Sequence, residues 1–197
     1  MKTKISKKWA VLIVALFIAP AVFAGNYDVD PSGSSVKWLG KKVTGEHNGT
    51  INIKEGTLEV VDGEVKSGTV LVDMQSIANE DLKDQSYNQK LVGHLKSDDF
   101  FSVETYPTAK LVLTDVKKTG DKYTFTGDLT IKGITNPVTF NATSSTGSDD
   151  VVQLNGDVTI DRTKYNVKYG SSSFFDNLGD KVIYDDFKLD FVLVAKK

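Results

Sequence analysis

The chain contains no cysteine. Disulfides, thiolate nucleophiles, zinc–cysteine sites and iron–sulfur clusters are therefore excluded, as is a lipid-anchored N-terminus that needs a cysteine to acylate. Arginine is nearly absent as well: Arg162 stands alone among 24 basic residues. Against 26 acidic residues this gives a formal net charge of −2. Such a chain carries no electrostatic footprint for nucleic acid and no basic patch for anionic lipid. Histidine is scarce too, with His47 and His94 far apart in sequence, so a binuclear or His-rich metal centre cannot be built. A mononuclear site with Glu46, Asp98 or Asp99 is formally open. The plainer readings are a hydrogen-bonded strand histidine near a barrel rim for His47 and a helix C-terminal residue for His94, where a partial positive charge meets the helix dipole. The remaining reading is contact with a ligand head group. No Gly-x-Ser-x-Gly elbow aims a nucleophile, and no Gly-rich loop cradles a phosphate. Asp161-Arg162 reads as an ion pair fixing a strand end rather than as a catalytic pair. The expectation is a protein that is not an enzyme and uses no cofactor.

Long apolar runs are missing except one. Lys2, Lys4, Lys7 and Lys8 precede an apolar stretch from Trp9 to Ala24 that contains Pro20 and ends Ala21-Val22-Phe23-Ala24. The stretch falls short of the roughly 20 residues that span a bilayer as a helix. Its small residues suit signal peptidase. Residues 1–24 therefore read as a cleaved secretory signal, residues 25–197 as one domain, and the periplasm as the destination. No integral membrane segment is expected after cleavage. Loss of the signal removes four lysines and no acid, so the mature protein is more acidic than the whole chain.

What remains is dominated by alternation. From Tyr123 to Ile131 the odd positions are apolar or Gly and the even ones Thr or Asp, the pattern of a half-buried strand. Phe187, Leu189, Phe191 and Leu193 repeat it, as do Val138 with Phe140, Val152 with Leu154, Val36 with Trp38, Ile51 with Ile53, and Val70 with Val72. Asp62-Gly63 predicts a type I′ hairpin. Gly120-Asp121, Gly133 with Asn136-Pro137, and Thr146 to Asp149 predict further reversals. Connections this short force antiparallel pairing. About eight such strands predict a closed meander. The apolar face is too clean for a porin-type barrel, whose lumen is polar. One segment departs from period two: in Ser86–Lys96 the spacing of Tyr87, Leu91 and Leu95 predicts a short amphipathic helix. After it, Phe100-Phe101 follows Ser97-Asp98-Asp99. In extended chain adjacent side chains point oppositely, so one could plug a barrel while the other faces outward. The alternative is that both are core.

These residues resemble the YceI family of periplasmic, polyisoprenoid-binding, lipocalin-like proteins. The resemblance is carried by Val36-x-Trp38, Gly45-x-His47-x-Gly49, Val72-Asp73-Met74-x-Ser76-Ile77, Gly93 to Phe101, Tyr106-Pro107, Gly127 to Thr135 and Asp161 to Tyr165, and it runs from about Tyr27 to Lys197. It implies an all-β fold, an eight-stranded antiparallel lipocalin-like β-barrel with one short helix closing one end. It also implies an elongated pocket for isoprenoid quinones or related long-chain amphiphiles and no cofactor chemistry.

The expected function is to carry or store a long-chain apolar lipid, isoprenoid or fatty-acid-like. The alternatives are an envelope stress or structural protein without a ligand, and a lipid-modifying enzyme. Burying ~400 Å² of ligand hydrocarbon at ~25 cal/mol/Å² is worth about 10 kcal/mol before ordering costs. The expected ligand-binding residues are Trp38, His47, Met74, Leu95, Phe100, Phe101, Phe125, Phe140, Tyr169 and Phe191. Trp38, Phe125, Phe140 and Phe191 lie on the apolar faces of four strands, which converge in a closed barrel. Met74 and the Phe pair are expected to close one end. A homodimer is left open.

Overall fold

Nine strands form one antiparallel sheet in this computed structural model, which describes residues 24–148 and 151–197. The stretch up to Phe23, which holds the expected signal, and the tip of the reversal after Ser148 lie outside the described residues. The strands are β1 (Ala24–Val29), β2 (Ser35–Lys42), β3 (Gly45–Val61), β4 (Glu64–Asn79), β5 (Thr108–Thr119), β6 (Lys122–Ile131), β7 (Ile134–Ser148), β8 (Val151–Asp161) and β9 (Ile183–Lys196). The helix α1 (Gln85–Lys96) separates β4 from β5, and short 3-10 turns at Arg162–Tyr165 and Gly179–Lys181 lie between β8 and β9.

Pairing runs β3-β2-β9-β8-β7-β6-β5-β4, and β4 pairs back to β3, so the sheet closes. The nine segments occupy eight staves because β1 and β2 share one. β2 pairs with the first part of β3 and with β9 from Ile183 to Val192. β1 pairs with the last part of β3 and touches the end of β9 through Val29 and Ala195. The break between them is chemical. Pro31 cannot donate to a ladder, and Asp30 turns the chain by accepting from Ser32 N and Oγ at 3.0 and 2.6 Å.

The alternation in the sequence maps onto this barrel directly. In β6, Tyr123, Phe125 and Ile131 are buried while Lys122, Thr124 and Asp128 are exposed. The hairpin at Asp62-Gly63 has φ of 50° and 76°, the pair of positive values that a type I′ turn requires. The reversal after β6 is made by Lys132-Gly133, at 52° and 74°. Asn136 and Pro137 lie beyond it, already paired in β7 with Leu129 and Asp128. The sequence reading placed them in the turn because Asn-Pro is a breaker pair; an antiparallel strand tolerates Pro where its missing N–H faces away from the ladder.

Helix α1 begins one residue earlier than its periodicity predicts. Asp84 caps it, accepting from Ser86 N at 2.9 Å and Tyr87 N at 3.1 Å. Its grip on the barrel is light, with no residue of the helix fully buried. Leu91 and Leu95 face the barrel, whereas Tyr87 is 66% exposed, so the apolar stripe engages only over its C-terminal part.

Candidate functional site

One end of the barrel is hollow and the other is filled. The filled end holds Tyr27, Leu58, Val60, Val65, Tyr123 and Phe125, all buried. Tyr123 and Phe125 stack with ring centroids 5.2 Å apart and planes inclined by 2°. Phe140 packs on Phe125 at 5.5 Å, and Phe191 meets Phe140 edge-on at 5.8 Å. The Phe191 ring lies over Gly156, its partner across the β8–β9 ladder, where a Cβ would fall 2.8 Å from the ring.

The hollow end contains a cavity of about 200 Å³. Its wall is drawn from β2, β3, β4, β5, β6, β8, β9 and α1, with Val36, Ile51, Val72, Leu129 and Leu189 among its aliphatic side chains. Lys41, Lys42, His47, Tyr184 and Asp186 also border it, although its surface is almost wholly apolar. Of the ten side chains expected from sequence, six stand on this wall: Trp38, His47, Met74, Leu95, Phe100 and Phe101. The structure places Phe125, Phe140 and Phe191 elsewhere, in the filled half, although they lie on the same inward faces. Tyr169 is also off the wall. It is 46% exposed and packs from outside on His94, at 4.6 Å, and on Phe100, at 5.6 Å.

Local structure explains how each wall residue is held. Trp38 donates its Nε1–H to Ala78 O at 3.0 Å, which orients the indole between β3 and β4. Phe100 and Phe101 follow α1 in a tight turn in which Phe101 N donates to Leu95 O at 3.2 Å. The turn removes the extended geometry that would send the rings apart, so neither plugs the barrel alone and both join the wall. Phe101 continues the aromatic surface to Phe187 at 6.2 Å.

The two histidines occupy separate environments. His47 Nδ1–H donates to Asp81 Oδ2 at 2.8 Å, and Asp81 also accepts from Asn48 N at 2.9 Å. Asn79 bonds to the same carboxylate, and Asn88 of α1 donates to Asn79 O at 3.0 Å. This chain of bonds ties the helix to the cavity wall. His94 sits in the last turn of α1, 3.3 Å from Asp99. Among the described residues no group of three or more His, Cys, Asp or Glu side chains is arranged to hold a metal ion.

Arg162 was read as paired with its neighbour Asp161, and the structure corrects that. Asp161 caps the 3-10 turn, accepting from Thr163 N at 2.9 Å and Oγ1 at 2.6 Å. Arg162 turns inward onto the cavity wall, 4% exposed, and donates to the carbonyls of Tyr184, Val167 and Ile183 at 3.1, 2.8 and 2.9 Å. Its charge faces Asp185 at 3.5 Å. Burial lowers the pKa of the guanidinium, while Asp185 and Asp161 raise it.

Partial burial alone would raise the Asp81 carboxyl, but hydrogen bonds from Asn48, His47 and Asn79 hold it below the ordinary 3.8. Asp185 is likewise raised by burial and lowered further by Ser171, Ser173 and Arg162. A carboxyl depressed in the folded state stabilises the protein above its unfolded pKa and loses that contribution as pH falls. Stability should therefore be flat above about pH 5 and decline as the medium is acidified through and below the ordinary carboxylate range. Urea unfolding across that range should show a shallower acid decline for Asp81→Asn than for the unaltered protein.

Comparison with known proteins agrees with this architecture. Residues 27–195 match the YceI-like domain family. A UPF0312 protein of Pseudomonas putida is 37% identical over 147 residues, covering 71% of this chain and 73% of its own. A UPF0312 protein of Photorhabdus laumondii is 57% identical over 49 residues, a match that spans 26% of that relative's length. Among solved structures, BcnA of Burkholderia cenocepacia superimposes with a TM-score of 0.63 at 26% identity, covering 85% of this chain and 99% of BcnA. A polyisoprenoid-binding domain from Saccharophagus degradans, implicated in plant cell wall breakdown, superimposes with a TM-score of 0.62. It covers 86% of this chain and 97% of its own, and at 15% identity it speaks to the fold alone. With a family match over nearly all of the described barrel and a relative aligned along most of its length, the chain belongs to the YceI-like domain family.

Proposed function

We propose that this protein binds the hydrocarbon chain of an amphiphilic lipid and carries or stores it in the periplasm. The observation that carries the reading is the cavity: aliphatic and aromatic side chains from seven strands and a helix line it, its surface is almost wholly apolar, and Lys41, Lys42 and His47 stand among the residues that border it. Such a wall gains from every apolar group it removes from water. The polyisoprenoid-binding domain that shares the fold supports an isoprenoid as the lipid class. The N-terminal basic and apolar segment supports export. Mass spectrometry of organic extracts from the natively expressed protein tests the lipid. Fractionation tests the compartment, with a mature N-terminus at or near Gly25 in the periplasm as the expected result.

Binding is favoured over catalysis by the state of the titratable groups on the wall. His47 is engaged by Asp81 and Arg162 by three carbonyls and Asp185. A general base must reach a proton on the substrate, and these groups are turned to structural partners. His47→Gln and His94→Gln should each retain the bound lipid found in the unaltered protein, within about twofold. Chemical conversion of the lipid that either change abolishes would replace this reading by an enzymatic one.

A further inference from the structure

We propose that the cavity end of the barrel docks on a phospholipid bilayer through a surface made by Val43, Phe174, Phe175 and Tyr184. The choice of partner rests on the lipid-binding reading. The first observation is one of distribution. Among the described residues, every large apolar side chain that stands exposed lies on a connection at the cavity end or within two residues of one. The described turns at the filled end carry none. Apolar exposure gathered at one pole marks an interaction surface, whereas scattered single residues need no explanation.

Two connections form the patch. The tip of the β2–β3 hairpin presents Val43, about half exposed, and its N–H donates to Val182 O at 3.1 Å. The segment between β8 and β9 presents Phe174 and Phe175, also about half exposed, and Tyr184 follows at the start of β9. Ile183 N donates back to Gly170 O at 2.8 Å, which holds this segment to the barrel. The patch adjoins the cavity. Lys41, Lys42 and Tyr184 border the cavity where the β2–β9 ladder passes from Gly40 opposite Phe187 to Lys42 opposite Ile183, leaving Tyr184 to Asp186 out of that pairing. Its chemistry suits a bilayer. Tyr belongs to membrane interfaces, and a half-exposed Phe gains from the apolar layer beneath the head groups. Lys168 Nζ lies 4.5 Å from the centroid of the Phe174 ring, so its ammonium reaches the phosphates when the ring enters the apolar layer. Lys42 and Lys181 stand next in sequence to Val43 and Val182, while Asp176 and Asp180 lie on the same segment as the Phe pair. Charge so nearly balanced complements zwitterionic head groups and gives a strongly charged macromolecule little to hold.

The test is flotation with vesicles of phosphatidylethanolamine and phosphatidylglycerol. The protein is purified after native expression and freed of the apolar segment before Gly25, which would itself bind vesicles. It should float with them. Phe174→Ser combined with Phe175→Ser should weaken partitioning about tenfold or more and leave the urea midpoint in place, since both side chains are exposed. The chain has no cysteine, so single labels report which end touches the membrane. A polarity-sensitive fluorophore at Phe175→Cys should shift to the blue when vesicles are added. One at Lys117→Cys, toward the filled end on β5, should not. Protein that stays at the bottom of the gradient overturns the proposal. So does flotation that the double substitution leaves intact, or an equal shift at both labels. A blue shift at position 175 that grows with protein concentration in the absence of vesicles assigns the patch to a second copy of the chain and overturns it as well. Empty organic extracts together with flotation remove the lipid-binding reading and leave the docking surface standing, whereas loaded extracts without flotation do the reverse.

Discussion

Arg162→Met should destabilise the barrel by about 3–5 kcal/mol, measured as a shift of the urea midpoint. Among the described residues the guanidinium is the sole side-chain donor to the carbonyls of Tyr184, Val167 and Ile183, and it also faces the carboxylate of Asp185. Removing it strands several acceptors at once in a site with little access to water, and stranded buried groups cost more than the net worth of the bonds they lose. Arg162→Lys should recover little of this, since an ammonium cannot span three carbonyls held in a fan around a planar fork. Pairing Arg162→Met with Asp185→Asn should recover part of the loss, because the second change removes the unpaired charge. A loss below about 1 kcal/mol for Arg162→Met would show that water or a shifted backbone replaces the guanidinium.

Phe125→Ala should cost a similar amount, about 3–5 kcal/mol, with the lipid content of the surviving folded protein unchanged. Phe125 is 1% exposed between Tyr123 and Phe140 and takes no part in the cavity wall. Thermal unfolding and lipid extraction on the same preparation separate the two effects. Loss of lipid with little loss of stability would place Phe125 in the binding site and dissolve the division of the barrel into a hollow and a filled half.

The barrel was legible in the sequence because its cause is local. Alternation from Tyr123 to Ile131, the Asp62-Gly63 turn and the Tyr87–Leu95 spacing each follow from backbone geometry within a few residues. The cavity was legible only in part, and the reason is geometric. A period of two states which face a side chain joins, but not its height along the barrel. Phe125 and Leu129 share a face of β6, yet the first lies in the filled core and the second on the cavity wall. Height depends on the register of every stave with its neighbours, as in Val36 opposite Phe191. Wall residues such as Ile51, Val72, Ala109 and Leu129 carried the right face and gave no further signal. Met74 and the Phe100-Phe101 pair stood out because they lie beside the helix connection, whose break in period does mark one end, and Leu95 lies on that helix; Trp38 was read only from the apolar face of β2, like the three Phe side chains that fall in the filled half. Arg162 was misassigned because its partner in space, Asp185, lies on the other side of a loop that sequence spacing cannot fold.

The stave that closes the cavity is shared by the two ends of the chain. β2 pairs with β9 along Ser35 to Lys42, joining residues from the first strands of the barrel to residues of its last strand. Contacts so distant in sequence form late, after the closure entropy of the whole intervening chain has been overcome. The cavity is therefore expected to be among the last features to form during folding. Until it forms, β2 and β9 present open edges and their inward apolar side chains face water, the condition in which chains associate wrongly. A molecule that occupies the finished chamber binds the closed barrel and not the open one, and so draws the population toward closure by mass action. On the proposed function that molecule is the lipid, and protein made in cells starved of it should accumulate in lower soluble yield than protein made with the lipid at hand.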